Sequence, residues 1–191
     1  MAATTTEPSR HQLPSTARLV LLCLVRGKRP RAALLRLRGV RLSLQRHGTL
    51  LLRGPLVQAG VPSLNGRSYE RAELEAETAT YCERPQAHFG TFGHPSPRST
   101  SFHATPRDVA SHRVVASTLH WEGESLTGSL EVLPTAAGAE LLLAYLLGET
   151  LGVSVRGWSL PADGAQRGFQ LAAFDVVRRP AFPGCVLHVV V

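Results

Sequence analysis

The segment 112–148 constrains the fold most, because it contains signals for two strands and a helix in direct succession. Two arms rich in β-branched residues flank Gly123, which predicts a β-hairpin. Pro134 ends the second arm, and Thr135 is suited to cap a helix. That helix is almost wholly apolar up to Gly148, so it must pack against the sheet. The chain is therefore predicted to be α+β and mainly β.

The rest of the chain divides into short runs separated by glycine and proline. Apolar or alternating runs predict further strands at 48–54, 151–157 and 169–177. Good helix formers predict a helix over 69–81, with its glutamates facing solvent. Proline, glycine and asparagine predict loops over 55–68 and 84–106, and a turn at Asp163 and Gly164.

Positive charge is concentrated at one end of the chain. Residues 1–48 contain ten Lys and Arg against Glu7 alone, whereas 49–191 contain eleven basic and thirteen acidic residues. We therefore predict a basic, partly disordered N-terminal extension over 1–47 and a single domain over 48–191. Apolar and basic residues alternate over 31–45, which suits a strand with one solvent-exposed face. An amphipathic basic helix is the alternative. An acidic protein or a nucleic acid would suit this extension as a partner.

Cysteine usage and hydropathy exclude several classes of protein. The three cysteines, Cys23, Cys82 and Cys185, are far apart and form no Cys-x-x-Cys pair, so neither a disulfide framework nor a metal site is indicated. The apolar run 19–25 is too short to cross a bilayer, and its basic residues follow it rather than precede it as in a signal peptide. These features predict a soluble protein in a reducing compartment, with no membrane contact.

A serine, a histidine and an acid stand in settings that suit acyl transfer. Ser154 lies in an apolar run between two glycines, His94 lies between Gly93 and Pro95, and Asp175 interrupts an apolar strand. Acyl transfer needs an alcohol that attacks, a base that takes its proton, and a group that orients the base. An aspartate on an apolar face also needs a partner, for which a histidine or an arginine such as Arg178 or Arg179 is suited.

Six motifs in order resemble the prohead (capsid maturation) serine proteases of tailed bacteriophages, which are related to the herpesvirus assemblin proteases. The resemblance covers roughly residues 48 to 186. The motifs are Asn65-Gly66-Arg67-Ser68-Tyr69, Gly90-Thr91-Phe92-Gly93-His94-Pro95, Ser111-His112-Arg113-Val114, Thr135-Ala136-Ala137-Gly138, Gly152-Val153-Ser154-Val155-Arg156-Gly157 and Asp175-Val176-Val177-Arg178-Arg179-Pro180-Ala181-Phe182-Pro183-Gly184.

The resemblance implies catalytic roles for five residues. Ser154 is the nucleophile, His94 the general base and Asp175 the third member of the triad. His112 is the alternative base or a second imidazole, as in the assemblins. Arg156 lies near the oxyanion hole or binds an acidic substrate side chain, since several phage members cut after glutamate. The sequence departs from the family pattern at Val155, Thr91 and Glu70, where the family has serine, glutamate and proline.

The resemblance also implies a fold and a function. The fold is an assemblin-like closed β-barrel core with flanking helices, and the function is that of a serine endopeptidase without a cofactor. The implied substrates are scaffold and major capsid proteins, cleaved by a homo-oligomer inside the assembling procapsid in the host cytoplasm. Two alternatives remain open: a catalytically silent relative that binds scaffold, and a nucleic-acid-binding module that acts through the basic extension.

Overall fold

The computed structural model describes residues 50–162 and 165–189 of the chain. The predictions for 1–47, and for the turn at Asp163 and Gly164, lie outside these residues. Within them the helices are α1 (Arg71–Cys82) and α2 (Ala136–Leu146). The strands are β1 (Leu50–Gln58), β2 (Phe89–Gly90), β3 (His112–Glu122), β4 (Ser125–Val132), β5 (Gly152–Ala162), β6 (Ala165–Val177) and β7 (His188–Val189). None of the helices in this part of the chain is long and apolar enough to span a membrane.

The strands form an antiparallel sheet of five and a separate antiparallel pair. The order in the larger sheet is β2-β3-β4-β1-β7, and β5 pairs with β6. The two sheets are joined by isolated bridges, one between Phe92 and Val176 and one between Gly152 and Val186. The predicted α+β, mainly β class is confirmed. Because single bridges rather than continuous ladders join the two sheets, closure of the barrel stays a prediction.

The hairpin and the apolar helix are confirmed with bounds close to those predicted, because both depend on local signals. Gly123 has a φ of 57°, the left-handed conformation that the tight turn between β3 and β4 requires. The Thr135 hydroxyl accepts a hydrogen bond from the Gly138 N–H and so caps α2. A side chain at Gly138 would overlap the Leu133 carbonyl, which explains the close approach of α2 to the end of β4.

Residues 55–58 are a strand rather than the predicted loop. Pro55 is paired with Thr127 of β4, and the register shifts by one residue before Val57. The paired part of β7 reaches only Leu52 and Arg53. Pairing with β4 therefore overrides the turn signal of the sequence, although proline has no N–H to donate to a neighbouring strand.

One hydrophobic core joins both sheets and both helices. Leu52, Leu130, Leu141, Phe174 and Tyr81 are each at most 1% exposed and come from β1, β4, α2, β6 and α1. Burial of a leucine or phenylalanine side chain of this kind contributes about 1.5–3 kcal/mol. This core holds β5 and β6 against the larger sheet and so fixes the position of Ser154 and Asp175.

Helix α1 also covers the outer edge of β6. The prediction that its glutamates face solvent holds for Glu75, which is exposed, and is wrong for Glu73 and Glu77, which are half-buried. The Phe169 N–H donates to Glu73 Oε1 and the Leu171 N–H donates to Glu77 Oε2, both at 2.9 Å. Residues at i and i+4 lie on one helix face, so the two carboxylates meet two successive outward N–H groups of the strand. Side-chain acceptors thus replace a further strand at this edge.

Candidate active site

Ser154 and Asp175 face each other across the β5–β6 pair. They are direct partners in the antiparallel register. Ser154 is 5% exposed and Asp175 is completely buried. Directly opposed residues of an antiparallel pair have Cβ atoms about 4.5–5.5 Å apart on the same face of the sheet. The serine and the carboxylate are therefore neighbours because of strand register, although 21 residues separate them in the sequence.

His94 reaches Asp175 because the loop after β2 is fixed to β6. The Val176 N–H donates to the Thr91 carbonyl at 3.0 Å, and the Gly93 N–H donates to the Val176 carbonyl at 2.8 Å. Gly93 has a φ of 84°, which favours glycine at this turn. The turn brings His94 Nδ1 to 2.8 Å from Asp175 Oδ2, with the histidine side chain 42% exposed.

Asp175 accepts hydrogen bonds at both carboxylate oxygens. His94 and Arg156 bond to Oδ2, while the Thr91 N–H bonds to Oδ1 at 2.9 Å and the Thr91 hydroxyl lies 3.0 Å from it. Burial raises the pKa of Asp175, but the hydrogen bonds from His94 and Arg156, the Arg156 charge and the Thr91 N–H together hold it below its ordinary value. An ionised carboxylate only accepts hydrogen bonds, so Nδ1 of His94 carries a proton and Nε2 is free to act as a base.

Arg156 is buried and uses all of its donors within the protein. Nε bonds to Asp175 Oδ2 at 2.7 Å and Nη2 bonds to Asp175 Oδ1 at 3.2 Å. Nη2 also bonds to Thr105 Oγ1 at 2.7 Å, and Nη1 bonds to the carbonyls of Ser101 and Phe102. A guanidinium has five N–H donors, and all five are engaged here. This geometry leaves none for an oxyanion or a substrate carboxylate and favours a structural role over the predicted one.

A cleft of about 320 Å³ opens at Ser154. Among the described residues, no hydrogen bond links the Ser154 hydroxyl to His94 or to any other group, so the hydroxyl is available to a ligand. The cleft is lined by Ser63, Asn65, Arg67, Tyr69, His94, Pro95, Pro97, Phe102, Ser154, Val155, Arg156, Gly157, Ala181 and Phe182. The serine, the histidine and a large open space therefore occupy one site.

The edge of β5 that faces away from β6 is open within this cleft. The Val153 N–H donates to the Cys185 carbonyl at 2.9 Å, on the side opposite β6. Val155 is two residues further along the strand and presents its N–H and C=O in the same direction. Within the part of the chain that the structure describes, neither group has a hydrogen-bond partner. Val155 lines the cleft, so this backbone edge is accessible to a ligand in it.

His112 is fully buried and does not line the cleft. Its Nδ1 lies 2.8 Å from Ser111 Oγ, and its Nε2 lies 2.9 Å from the Phe174 carbonyl. Since a carbonyl only accepts, Nε2 carries the proton and Nδ1 accepts from the serine. Burial lowers the pKa of His112, and the Phe174 hydrogen bond and the Asp175 charge offset this only in part. Both ring nitrogens are occupied, which favours His94 over His112 as the base.

Three parts of the site escaped prediction from the sequence. In the sequence Thr91 is only a departure from the family pattern, yet its N–H bonds to Asp175. The sequence predicts a plain loop over 101–105, yet Arg156 binds this segment and its Phe102 lines the cleft. Arg67 belongs to a motif to which the sequence assigns no role, although it lines the cleft. The motifs around Thr91 and Arg67 are signals in the sequence, whereas the segment 101–105 carries none.

The described residues contain no group of three or more His, Cys, Asp and Glu side chains that could hold a metal ion. Cys185 is buried, and burial raises its thiol pKa to about 12. Cys82 lies on α1, outside the cleft lining. Neither thiol is a rival nucleophile to Ser154 in this cleft.

The fold is similar to that of the capsid assembly protease gp21 of bacteriophage T4. The TM-score is 0.57 with 23% sequence identity, and the match covers 68% of this chain and 82% of that one. No protein-family model matches the sequence, and the comparison with curated proteins finds no significant match. The predicted resemblance to phage prohead proteases thus agrees with the fold, and the wider relation to the assemblins stays a prediction.

Proposed function

We propose that this chain is a serine endopeptidase that cleaves scaffold and capsid proteins during procapsid maturation. The observation that carries the proposal is the hydrogen bond between His94 Nδ1 and Asp175 Oδ2, beside Ser154 in an open cleft. An ionised acid, a histidine with a free ring nitrogen and an unbonded serine hydroxyl are the three groups that acyl transfer needs.

In the proposed mechanism, Ser154 Oγ attacks the scissile carbonyl while His94 Nε2 takes its proton. Asp175 holds the imidazole in orientation and stabilises the imidazolium as it forms. The imidazolium then gives its proton to the leaving amine, which leaves an acyl-enzyme. A water activated by Nε2 attacks the ester, and the serine regains its proton. The chemistry we propose uses side chains of the protein alone.

The open edge of β5 supports a peptide as the substrate. Val155 presents an N–H and a C=O to the cleft, beside the proposed nucleophile. An extended peptide can pair with such an edge through its own main chain, which gives affinity without demanding a particular sequence. A substrate bound in this way would run alongside β5, with its scissile bond close to Ser154.

Arg67 supports recognition of an acidic substrate side chain. It is exposed, lines the cleft and forms no ion pair with any described acidic residue. Arg156, the residue expected for this role from the sequence, has no donor left. A guanidinium with free donors offers a bidentate fit to a carboxylate. We therefore assign acid recognition to Arg67.

The likeness to the T4 capsid assembly protease supports capsid-related substrates and an assemblin-like barrel. On this proposal the bridged edges of the two sheets close that barrel, with β5 and β6 as its catalytic strands. The enzyme acts inside the assembling procapsid as a homo-oligomer, and residues 1–47 form an extension that binds an acidic partner.

The test is to coexpress the chain with the neighbouring scaffold and capsid proteins and to weigh the products. Ser154→Ala should abolish cleavage, by about 10⁶-fold if the triad acts as in known serine proteases. Ser159→Ala is the matched control, since it lies on the same strand but outside the cleft. Labelling by a fluorophosphonate should occur in the wild type and in Ser159→Ala, and be lost in Ser154→Ala.

A catalytically silent scaffold-binding relative is the second candidate. The absence of a Ser154–His94 hydrogen bond among the described residues, and Val155 in place of the family's second serine, favour it. If the wild type binds its partners but leaves all of them intact and resists the fluorophosphonate, the silent relative is correct. If the wild type cleaves and Ser154→Ala cleaves equally well, Ser154 is not the nucleophile.

A further inference from the structure

We propose that Arg156 is a positioning residue. It holds the carboxylate of Asp175, the acid of the triad, in its orientation, and it holds the segment 101–105, one wall of the substrate cleft, in place. This inference rests on the proposed function, since it concerns how the same site is held in order. The guanidinium joins β6, through Asp175, to the segment 101–105, which lies between β2 and β3 in the sequence. One side chain therefore connects the proton relay to the surface that contacts the substrate.

The contact with Asp175 is a two-point contact. Nε bonds to one carboxylate oxygen at 2.7 Å and Nη2 bonds to the other at 3.2 Å. Two nearly parallel hydrogen bonds fix the plane of a carboxylate as well as its position. Because His94 bonds to Oδ2 of the same carboxylate, the orientation of the imidazole depends on that plane. Arg156 thus acts on His94 through Asp175.

The contact with the cleft wall uses the remaining donors. Nη1 bonds to the carbonyls of Ser101 and Phe102, and Nη2 bonds to Thr105 Oγ1. The phenyl ring of Phe102 lines the cleft. Apart from a single 3₁₀ turn at Thr100–Phe102, this segment has no regular structure to hold it in place. A second anchor is the contact of the His103 ring with Trp158 of β5, with centroids 4.7 Å apart.

Charge and burial make both contacts depend on arginine. Arg156 is 3% exposed and Asp175 is completely buried, so each charge needs the other. Lysine has three donors on a single nitrogen and cannot bond to two carboxylate oxygens and three wall acceptors together. Loss of the wall contacts would in turn leave guanidinium donors unpaired in the interior. The orientation of the Asp175 carboxylate and the position of the segment 101–105 are therefore coupled through Arg156.

The experiment compares Arg156→Lys and Thr105→Val with the wild type in the full chain. Arg156→Lys should lower the rate of fluorophosphonate labelling by about 10²-fold, as expected when a catalytic group is misplaced by about 1 Å. It should also raise KM for a peptide substrate. Thr105→Val removes one wall contact and leaves the carboxylate contacts, so it should raise KM with a smaller effect on labelling. Arg113→Lys is the matched control, because Arg113 forms an ion pair with Glu131 at the surface of the five-stranded sheet.

Two further readouts do not depend on activity. In Arg156→Lys the backbone amides of 99–105 should exchange faster with solvent, and the far-downfield NMR signal of the His94 Nδ1 proton should shift or disappear. A folded Arg156→Lys protein with unchanged amide exchange and an unchanged proton signal would overturn the inference. If the wild type is inactive but Arg156→Lys alters both signals, the coupling stands and the proposed function fails.

Discussion

Replacement of His112 by glutamine should change how the stability of the domain depends on pH. The imidazole is completely buried, with Ser111 Oγ at 2.8 Å from one nitrogen and the Phe174 carbonyl at 2.9 Å from the other. Acceptance of the Ser111 hydrogen bond at Nδ1 requires the neutral ring, and burial lowers the pKa of His112 from its ordinary value of 6.5. The unfolded chain exposes this ring and restores its ordinary titration.

The sign of the effect follows from this shift. Below pH 6.5, and down to the lowered pKa of the folded state, the unfolded chain binds one proton more than the folded chain. The free energy of unfolding therefore decreases as the pH is lowered through this range, by at most about 1.4 kcal/mol per pH unit for one proton. At pH 7.5 the glutamine variant should be less stable than the wild type by about 1–3 kcal/mol, from two weakened hydrogen bonds. The difference should shrink as the pH falls, because only the wild type titrates.

The assay is equilibrium unfolding in urea at half-unit steps from pH 5 to pH 8, with His188→Gln as an exposed control. His120 is also exposed, and hydrogen bonds to the Thr118 carbonyl and Glu122 raise its pKa, which gives a contribution of opposite sign. It is present in both proteins and cancels in the difference. Asp175 does not interfere, since its lowered pKa confines its contribution to pH values below about 3.8. A difference that stays constant across this pH range would refute the coupling of His112 protonation to folding.

Two other substitutions test the site. Thr91→Val keeps the N–H donor but removes a hydroxyl that lies 2.6 Å from the Gly93 carbonyl and 3.0 Å from Asp175 Oδ1. Because this hydroxyl links the turn before His94 to the acid, kcat/KM for a peptide should fall several-fold, corresponding to about 1 kcal/mol. An unchanged value would mean that the N–H alone orients the acid. Arg67→Gln should raise KM by about 10- to 100-fold for peptides with an acidic residue before the scissile bond, because a charged hydrogen bond of about 1.5–3 kcal/mol is lost. KM for matched neutral peptides should rise much less. Equal effects on both peptides would show that Arg67 does not recognise the carboxylate.

The elements that the sequence predicts well are those whose signals lie within a few residues. The β3–β4 hairpin depends on Gly123, and α2 depends on the Thr135 cap, so each can be recognised without knowledge of the rest of the fold. The strand through Pro55 was missed because pairing with β4, more than 60 residues away, overrides a local turn signal. The length of β5 and β6 was likewise set by their pairing with each other.

The same distinction applies to the candidate site. An aspartate on an apolar strand predicts a partner, but the sequence leaves histidine and arginine as alternatives. The structure provides both, His94 and Arg156, from positions 81 and 19 residues away. Arg178, one of the two arginines that the sequence suggests, instead pairs with Glu149 at the surface. The orientation of a guanidinium depends on which acceptors the fold brings near it, and no pattern within one segment carries that information.

The carboxylates of α1 at the outer edge of β6 protect this edge from pairing with another copy of the domain. An exposed sheet edge is a template for pairing with another copy of the same chain, which leads to aggregation. Glu73 and Glu77 occupy two N–H groups of that edge with charged groups that a second strand would have to displace. The opposite edge of the pair, at Val155, lies within the cleft at Ser154. Helix α1 therefore protects the β6 edge from pairing with a second copy and leaves the β5 edge as the one that is open to a ligand.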